Sequence, residues 1–202
     1  MKTFKPILIF SLCILAFSSC KNENDLGGND IDTISTGKVA FERFGMKVYF
    51  PENEWKYETS TMNMPGFEGE CVNAYLQKSG VVIENETKYS VYISFIRFVS
   101  TFEDDAAANK MIDEIKEIYD FWATVEEKKE YLSVEPITSS QIGNYPAKKM
   151  VCKKTNGSIE ESYFIYKGKR LYWIAVIMPE DKKSSYYAEC MRIINTLEIT
   201  DK

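Results

Sequence analysis

The sequence of 202 residues predicts an α+β fold. We expect a three-layer α/β/α sandwich, with a central antiparallel sheet of about six to eight strands flanked by two main helices. Several short segments alternate apolar and polar residues with the period of two that is typical of strands. Two other segments carry a single apolar stripe at helical spacing. Two of the strands are apolar on both faces, which requires a covering layer on each side of the sheet.

Four strands are predicted before the first helix, at residues 46–50, 55–61, 71–76 and 89–99. The first of them ends at Pro51, which cannot donate a ladder hydrogen bond. The fourth is the clearest, because apolar residues occur on both of its faces. One face carries Tyr89, Val91, Ile93, Phe95 and Val99, and the other carries Tyr92, Ile96 and Phe98.

A first main helix is predicted at residues 104–125. Glu103, Asp104 and Asp105 lie at its start, where the helix dipole favours negative charge. Spacings of three and four residues place the apolar side chains on one stripe. This stripe consists of Met111, Ile115, Ile118 and Trp122, with Ile112 and Tyr119 beside it.

The second half of the chain is again rich in strands, predicted at residues 132–138, 147–153, 159–166 and 171–178. Asn156-Gly157 and the Lys-Gly-Lys sequence at residues 167–169 are typical of hairpin turns, so the sheet is antiparallel. The last helix is expected to begin with Ser184 or Ser185 as its cap. Its apolar stripe consists of Tyr187, Cys190, Met191, Ile194 and Leu197.

Residues 1–19 are typical of a secretory signal. Lys2 and Lys5 precede an apolar run at residues 7–17, which is too short to span a bilayer. Small residues then precede Cys20, and this arrangement resembles a bacterial lipobox. The resemblance implies cleavage before Cys20 and a lipid on its sulfur. Phe17 stands at the position where a lipobox usually has Leu, a departure that the lipoboxes of Bacteroidota-like lipoproteins accommodate. The alternative to a lipobox is an ordinary secretory signal in which Cys20 occurs by chance.

The polar segment that follows indicates a flexible tether, so that Cys20 and the tether occupy residues 20–37 and one globular domain occupies residues 38–202. Lys21 followed by Glu23 and Asp25 resembles the export signal of surface lipoproteins. We therefore expect a protein of the outer membrane, on its periplasmic face or at the cell surface. Without its signal, the chain has 23 basic and 30 acidic residues, a net charge of −7. This balance argues against nucleic acid as a partner.

The chain contains no His, which excludes Ser-His-Asp and Cys-His catalysis and His-ligated metals. We therefore predict no catalytic residue, no metal ligand and no cofactor. Cys71, Cys152 and Cys190 remain in the mature domain, where an oxidising compartment permits disulfides. Three different single disulfides are possible among these residues, and each of them leaves one thiol free. Cys190 lies on a helical stripe and is expected to be a buried, unreactive side chain.

Two other kinds of residue are candidates for a functional site. Three acidic pairs, expected in solvent-facing turns or helix ends, would suit a glycoside hydrolase: Glu84 with Glu86, Glu126 with Glu127, and Glu160 with Glu161. Four aromatic residues in or near predicted loops would suit contacts with a partner if exposed, and the favoured alternative for each one is packing in the core or in turns: Trp55, Phe67, Tyr131 and Tyr145.

The order of motifs resembles the PsbP-like superfamily, which includes lipid-anchored DcrB-like bacterial proteins. The motifs are the strand at residues 45–51 followed by Trp55, the amphipathic helix, the turn at residues 142–147, the aromatic-rich strand and the helix end at residues 193–199. The usual Gly-Gly-x-Pro-Ala sequence has Asn144 as its second residue here. The resemblance implies an antiparallel sheet between helices. Most of its members bind or assemble other molecules, and none offers catalytic residues to carry over.

The expected function is that of a lipid-anchored cell-envelope protein, a non-catalytic binding or assembly factor with a protein partner in the envelope. One alternative is a lipoprotein that binds a glycan or peptide. Another is a hydrolase that uses paired carboxylates.

Overall fold

A computed structural model describes residues 31–34, 38–51, 53–64, 67–83, 86–125 and 129–200. Within these ranges the chain forms fourteen strands and two α-helices. The strands before the first helix are β1 (Ile31–Ile34), β2 (Lys38–Arg43), β3 (Met46–Pro51), β4 (Trp55–Met64), β5 (Phe67–Leu76), β6 (Gly80–Ile83), β7 (Glu86–Tyr89) and β8 (Tyr92–Thr101). The later elements are α1 (Asp105–Thr124), β9 (Tyr131–Val134), β10 (Thr138–Ile142), β11 (Tyr145–Lys154), β12 (Ser158–Lys167), β13 (Arg170–Pro179), α2 (Lys183–Ile194) and β14 (Glu198–Ile199).

The main sheet contains eight strands. Seven follow the order β10-β11-β12-β13-β8-β5-β4, and β9 pairs with β11 beside β10. All of these pairings are antiparallel. The β4–β5 and β12–β13 ladders each continue for ten residue pairs without a shift in register. The predicted fold class, a central antiparallel sheet of this size with two helices, is confirmed.

The layers on the two faces of the main sheet differ in composition. Helix α1 covers one face. Helix α2 covers the other face together with a small sheet in the order β1-β2-β3-β14. Alternate residues of β13 pack into the two cores, as the pleat of a strand requires. Tyr172, Ile174, Val176 and Met178 face α2, whereas Leu171, Trp173, Ala175 and Ile177 face α1.

Helix α1 lies within one residue of its predicted bounds at each end. Asp104 is its N-cap, and its side chain accepts a hydrogen bond from the Ala107 amide at 2.9 Å. The buried stripe is rotated from the predicted one, since Met111, Ile118 and Trp122 are only partly buried. The fully buried side chains are Ala108, Ile112, Ile115 and Tyr119.

The predicted cap of α2 is wrong. The helix begins at Lys183, so Ser184 and Ser185 lie inside its first turn, and the preceding residue makes no side-chain cap hydrogen bond. A 3₁₀ turn at Glu180–Lys182 runs directly into the helix. The Glu180 amide at the start of this turn donates to the carbonyl of Gly157, so the chain enters α2 without a serine cap.

Strands β4 and β5 are three and four residues longer than predicted, and three further segments are divided or assigned differently. The strand predicted at residues 132–138 is divided into β9 and β10, because Pro136 lies between them and cannot donate to a ladder. The strand predicted at residues 89–99 begins at Tyr92, since Tyr89 ends the separate β6–β7 hairpin. Strand β1 lies within the predicted tether.

Strand β1 pairs with β2 over four residues, from Ile31 opposite Phe41 to Ile34 opposite Lys38. The expectation of a flexible tether is therefore wrong for Ile31–Ile34. The predicted signal at residues 1–19, Cys20 and the rest of the predicted tether lie outside the described residues.

Gly69 of β5 provides a test of the packing between the sheet and α1. A Cβ at this position would lie 2.6 Å from Cγ2 of the buried Ile96, closer than van der Waals contact permits. Gly69→Ala is expected to lower the free energy of unfolding by about 1–3 kcal/mol, measured by urea denaturation. The exposed neighbour Glu68 supplies the control, since Glu68→Ala should change it by less than about 0.5 kcal/mol. Equal stability of the two variants would contradict this close contact.

Candidate functional site

Glu160 and Glu161 of β12 are the buried charged residues in the described part of the chain. Successive side chains of a strand point to opposite faces, so Glu160 lies under α1 and Glu161 lies under α2. The expectation that this pair faces solvent in a turn is wrong, because β12 already begins at Ser158.

Glu161 is held by two lysines and a tyrosine. Lys149 Nζ lies 2.7 Å from Oε2 of Glu161, and Lys183 Nζ lies 2.6 Å from Oε1. The Tyr163 hydroxyl donates to Oε2 at 2.7 Å. Burial acts to raise the pKa of Glu161, but the hydrogen bonds from Lys149, Lys183 and Tyr163 outweigh it and lower the pKa to about 2. Because Lys149 belongs to β11 and Lys183 to α2, this carboxylate ties the helix to the sheet.

Glu160 is held in a separate network on the α1 face. The Tyr119 hydroxyl donates to Oε1 of Glu160 at 2.8 Å, and the Ser162 hydroxyl donates to the same oxygen at 3.2 Å. Lys154 Nζ lies 3.4 Å from Oε2, and the Trp173 indole donates to Ser162 Oγ at 2.9 Å. Burial and then the charge of Glu160 hold the pKa of Tyr119 well above its usual range. Its hydroxyl therefore stays protonated and remains a donor.

The two carboxylates cannot cooperate on one glycosidic bond, because the sheet itself separates them. A paired-carboxylate hydrolase needs both groups to converge on one substrate. Here Glu160 is engaged by Lys154 on one face, and Glu161 is engaged by Lys149 and Lys183 on the other. Glu84, Glu126 and Glu127 lie outside the described residues, as does the side chain of Glu86.

Cys71, Cys152 and Cys190 are buried and are not joined in a disulfide. Burial, and secondarily the charge of Glu189, raises the pKa of Cys190 to about 12. Burial, followed by the charge of Glu160, also raises the pKa of Cys152. The Cys71 thiol donates to Asn73 Oδ1 at 3.3 Å. None of the three alternative disulfides is formed, and thiols of this kind are structural residues of the core.

The four candidate contact aromatics are part of the interior or its margin. Trp55, Phe67 and Tyr131 are buried, so the expectation that they are exposed for a partner is wrong. Phe67 packs 5.5 Å from the Phe98 ring, and Tyr131 packs 4.8 Å from the Tyr119 ring. Trp55 donates to Glu189 Oε1 on α2 at 3.1 Å. Tyr145 is half-buried, and its hydroxyl accepts a hydrogen bond from the Ile199 amide at 2.9 Å.

An open groove of about 550 Å³ lies where the β10–β11 turn meets the end of α2, lined by Tyr49, Gly143, Asn144 and residues 195–198. Gly143 has a φ of +53°, and its amide donates to Asn195 Oδ1 at 2.8 Å. The Tyr49 amide donates to Thr196 Oγ1 at 3.0 Å. These polar groups therefore bond to one another and hold the turn against the helix.

Among the described residues, no three side chains of the types that bind metals lie close enough together to hold an ion. Within the same ranges, neither helix combines the length and apolar character needed to cross a bilayer.

The two edges of the main sheet differ, and the β4 edge is the candidate binding site. Strand β4 is ten residues long and pairs with β5 alone among the described strands. It contains no Pro, and its last charged residue is Glu58. Thr59, Thr61 and Asn63 are exposed along it. An exposed edge strand of this length is a ready template for pairing with another chain.

Hydrogen bonds between side chains hold β4 to the sheet on the α1 face. The Tyr75 hydroxyl donates to Glu58 Oε1 at 2.5 Å. The side-chain amide of Asn73 donates from Nδ2 to Ser60 Oγ at 3.1 Å, and the Ser94 hydroxyl of β8 donates to Asn73 Oδ1 at 2.7 Å. The edge strand is thus fixed to β5 and, through Asn73, to β8.

Sequence reasoning did not find this edge, although one signal for it is present. The strand predicted at residues 55–61 ends three residues early, and residues 59–64 carry no charge. Charged residues or Pro are the usual protection of an edge strand, so their absence from residues 59–64 becomes informative once the strand order shows that β4 is at the edge.

Comparisons with known proteins bear on the fold. No protein-family model matches the sequence, and no curated protein matches it. Among solved structures, the chain is similar to the solution structure of cyanobacterial PsbP (CyanoP) from Synechocystis sp. PCC 6803. The TM-score is 0.52 at 13% sequence identity, and the match covers 86% of this chain and 98% of that chain. At this identity the likeness shows the fold alone, and the chain has a PsbP-like α+β fold.

The Glu161 cluster makes the stability of the domain depend on pH. The pKa of Glu161 in the folded state, about 2, lies below the ordinary value of 4.5. Its stabilisation is therefore complete above pH 4.5 and is lost as the pH falls toward 2. Glu161→Gln is expected to lower the free energy of unfolding by about 3 kcal/mol at neutral pH, because both lysines lose the carboxylate. Urea denaturation between pH 2 and 7 measures both effects.

The matched control is Glu117→Gln on the exposed face of α1, which should change the free energy of unfolding by less than about 0.5 kcal/mol. If the Glu161→Gln protein loses stability in acid as steeply as the wild type does, Glu161 is not the source of this pH dependence.

Proposed function

We propose that this chain is a lipid-anchored cell-envelope protein that acts without catalysis, by binding a protein partner as an accessory or assembly factor. Cys20 carries the lipid after cleavage of residues 1–19. The protein then belongs to the outer membrane, on the periplasmic face or at the cell surface. This proposal combines the lipobox-like N-terminus with a domain whose exposed edge suits another polypeptide.

The open edge of β4 is the observation that carries the binding proposal. The β4–β5 ladder is unshifted over ten residues, and after Glu58 the outer backbone groups of β4 lie beside exposed, uncharged side chains. Backbone groups of this kind bind other polypeptides by strand addition, which requires no catalytic group and no deep pocket.

The charges of the interior support binding rather than catalysis. Glu160 and Glu161 are each engaged by lysines and hydroxyl groups within the fold. A catalytic acid or base must instead reach a substrate. Both carboxylates act as structural connections between β12 and a helix.

The anchor is tested by replacing its attachment site. Cys20→Ser should move the protein from the membrane fraction to the soluble fraction, because stable anchoring requires about two acyl chains on that residue. Cys13→Ser, within the removed signal, is the control and should leave the protein in the membrane fraction. Retention of the Cys20→Ser protein in the membrane would exclude a lipid on this residue.

Binding is tested by crosslinking in native membranes, followed by purification through a C-terminal tag. One protein should be recovered in a stoichiometric amount with the wild type, because the domain acts through a defined complex. Quantitative mass spectrometry measures the ratio, with another outer-membrane lipoprotein carrying the same tag as the control. Recovery of the same proteins in both samples would contradict a dedicated partner.

A further inference from the structure

We infer that the outer edge of β4 receives an extended strand from a partner protein, with apolar side chains on one face of that strand and basic side chains on the other. The inference rests on the proposed function, since it names the chemistry of the partner that this function requires. It is carried by the geometry of the edge and by the different chemistry of the two sheet faces beside it.

Strand β4 has the backbone that strand addition requires. In an antiparallel pair, alternate residues direct their N–H and C=O groups away from the neighbouring strand. About five of the residues of β4 therefore direct these groups outward. The β4–β5 register has no shift, so no bulge turns the edge away. An added strand would continue the sheet at a spacing of about 4.8 Å.

The opposite edge of the same sheet is protected against pairing with another strand. Among the described strands of this sheet, an added strand is therefore expected at β4. Two short strands, β9 with four residues and β10 with five, share the outer side of β11. Pro136 lies between them, and the β9–β11 register shifts between Lys153 and Lys154. Short strands, Pro and bulges are the usual devices that prevent pairing at an edge.

The α1 face beside the edge selects apolar side chains. Met62 and Met64 lie on this face at the end of β4, partly buried against the core that contains Phe67 and Phe98. Methionine side chains are flexible and polarisable, and they adapt to apolar partners of different shape. Apolar residues of an added strand would pack against both methionines.

The opposite face beside the edge selects basic side chains. Glu68 is exposed on β5 directly across from Asn63 of β4, and no ion pair of Glu68 is found among the described residues. The nearby Glu70 is bonded to Arg97, whose Nε lies 3.0 Å from its Oε2. An added strand would lie two strand spacings from β5, about 10 Å, which a lysine and a glutamate side chain can bridge together.

Net charge favours such a partner over a second copy of this chain. The chain without its first 19 residues has a net charge of −7, so two copies repel one another. The same charge attracts a basic strand and increases its rate of association.

The experiment uses the full-length protein, purified from membranes in detergent, and a fluorescent peptide of about nine residues that alternates Ile and Lys. Fluorescence anisotropy measures binding, and hydrogen–deuterium exchange locates it. We expect saturable binding with slower exchange of alternate amides in β4 and no change in β9 or β10. An otherwise identical peptide that alternates Ile and Glu should bind at least about tenfold more weakly, because it meets Glu68 with the wrong charge.

Matched variants distinguish the two edges. Thr59→Lys with Thr61→Lys adds two charges to the exposed β4 edge and should weaken peptide binding at least about tenfold. Thr138→Lys with Ser139→Lys adds the same charge to exposed positions of β10 and should change binding by less than about twofold. Unchanged exchange elsewhere in the sheet shows that each variant remains folded.

Four results would overturn the inference: no saturable binding, protection outside β4, equal weakening by both lysine pairs, and equal binding of the acidic peptide. Two others would assign the edge to a different occupant. Protection of β4 that rises with protein concentration, without peptide, identifies a second copy. Protection that is lost when residues 20–30 are deleted identifies the chain's own N-terminal segment.

The crosslinking experiment separates this inference from the proposed function. If Thr59→Lys with Thr61→Lys leaves recovery of a stoichiometric partner unchanged, the protein binds a partner but not through β4. If crosslinking in wild-type membranes recovers no stoichiometric partner, the proposed function is contradicted, even if the fluorescent peptide binds to β4.

Discussion

Burial of the central strands on both faces is the constraint on which the rest of this structure depends. All eight side chains from Leu171 to Met178 of β13 are buried. Each large apolar side chain contributes about 1.5–3 kcal/mol when fully buried, so exposing either face would cost several such contributions. Helix α1 must therefore cover one face, and α2 must cover the other. Because α2 has only twelve residues, the small sheet completes the second layer with Phe41, Met46, Val48 and Phe50.

The two glutamates of β12 make this layered arrangement specific. Removing carboxylates from water is costly, and attraction to nearby lysines offsets that cost only in good geometry. Glu161 obtains this geometry when Lys183 brings the start of α2 over one face. Glu160 obtains a hydrogen bond when Tyr119 of α1 lies over the other. A helix in another position would leave a buried carboxylate without one of its hydrogen-bond donors. The carboxylates of Glu160 and Glu161 therefore favour one position for each helix.

Sequence patterns correctly predicted the elements whose buried residues repeat at a regular spacing along one segment. They failed where the pairing or burial of a residue depends on contacts with residues distant in the chain. Helix α1 and strands β12 and β13 were found because their apolar residues repeat over many positions. The small sheet was missed because β1 has only four residues in a polar segment, and because β14 is short and pairs with β3, which is distant in the chain. Glu161 was assigned to solvent because the sequence does not show that Lys183, 22 residues later, returns to it.

Phe67 and Tyr131 were assigned to loops for a related reason. Each lies at the start of a strand whose partner brings it into the core. The open edge of β4 depends on the order of all the strands in the sheet. The local pattern of residues 59–64 shows an uncharged strand, but it does not show that only one side of that strand is paired.

If the chain is anchored in a membrane, as proposed, the asymmetry of the two edges has a physical consequence. An open edge promotes association with any available strand, and identical copies concentrated on one surface are the nearest source. Two features oppose pairing between copies here: the net charge of −7 that residues 20–202 carry, and the exposed carboxylate of Glu68 close to the edge. Both features favour a basic strand from another protein. On the proposed function, the charge that opposes self-association also favours a basic partner, so an edge that would be a liability in a neutral domain would serve here as a specific binding surface.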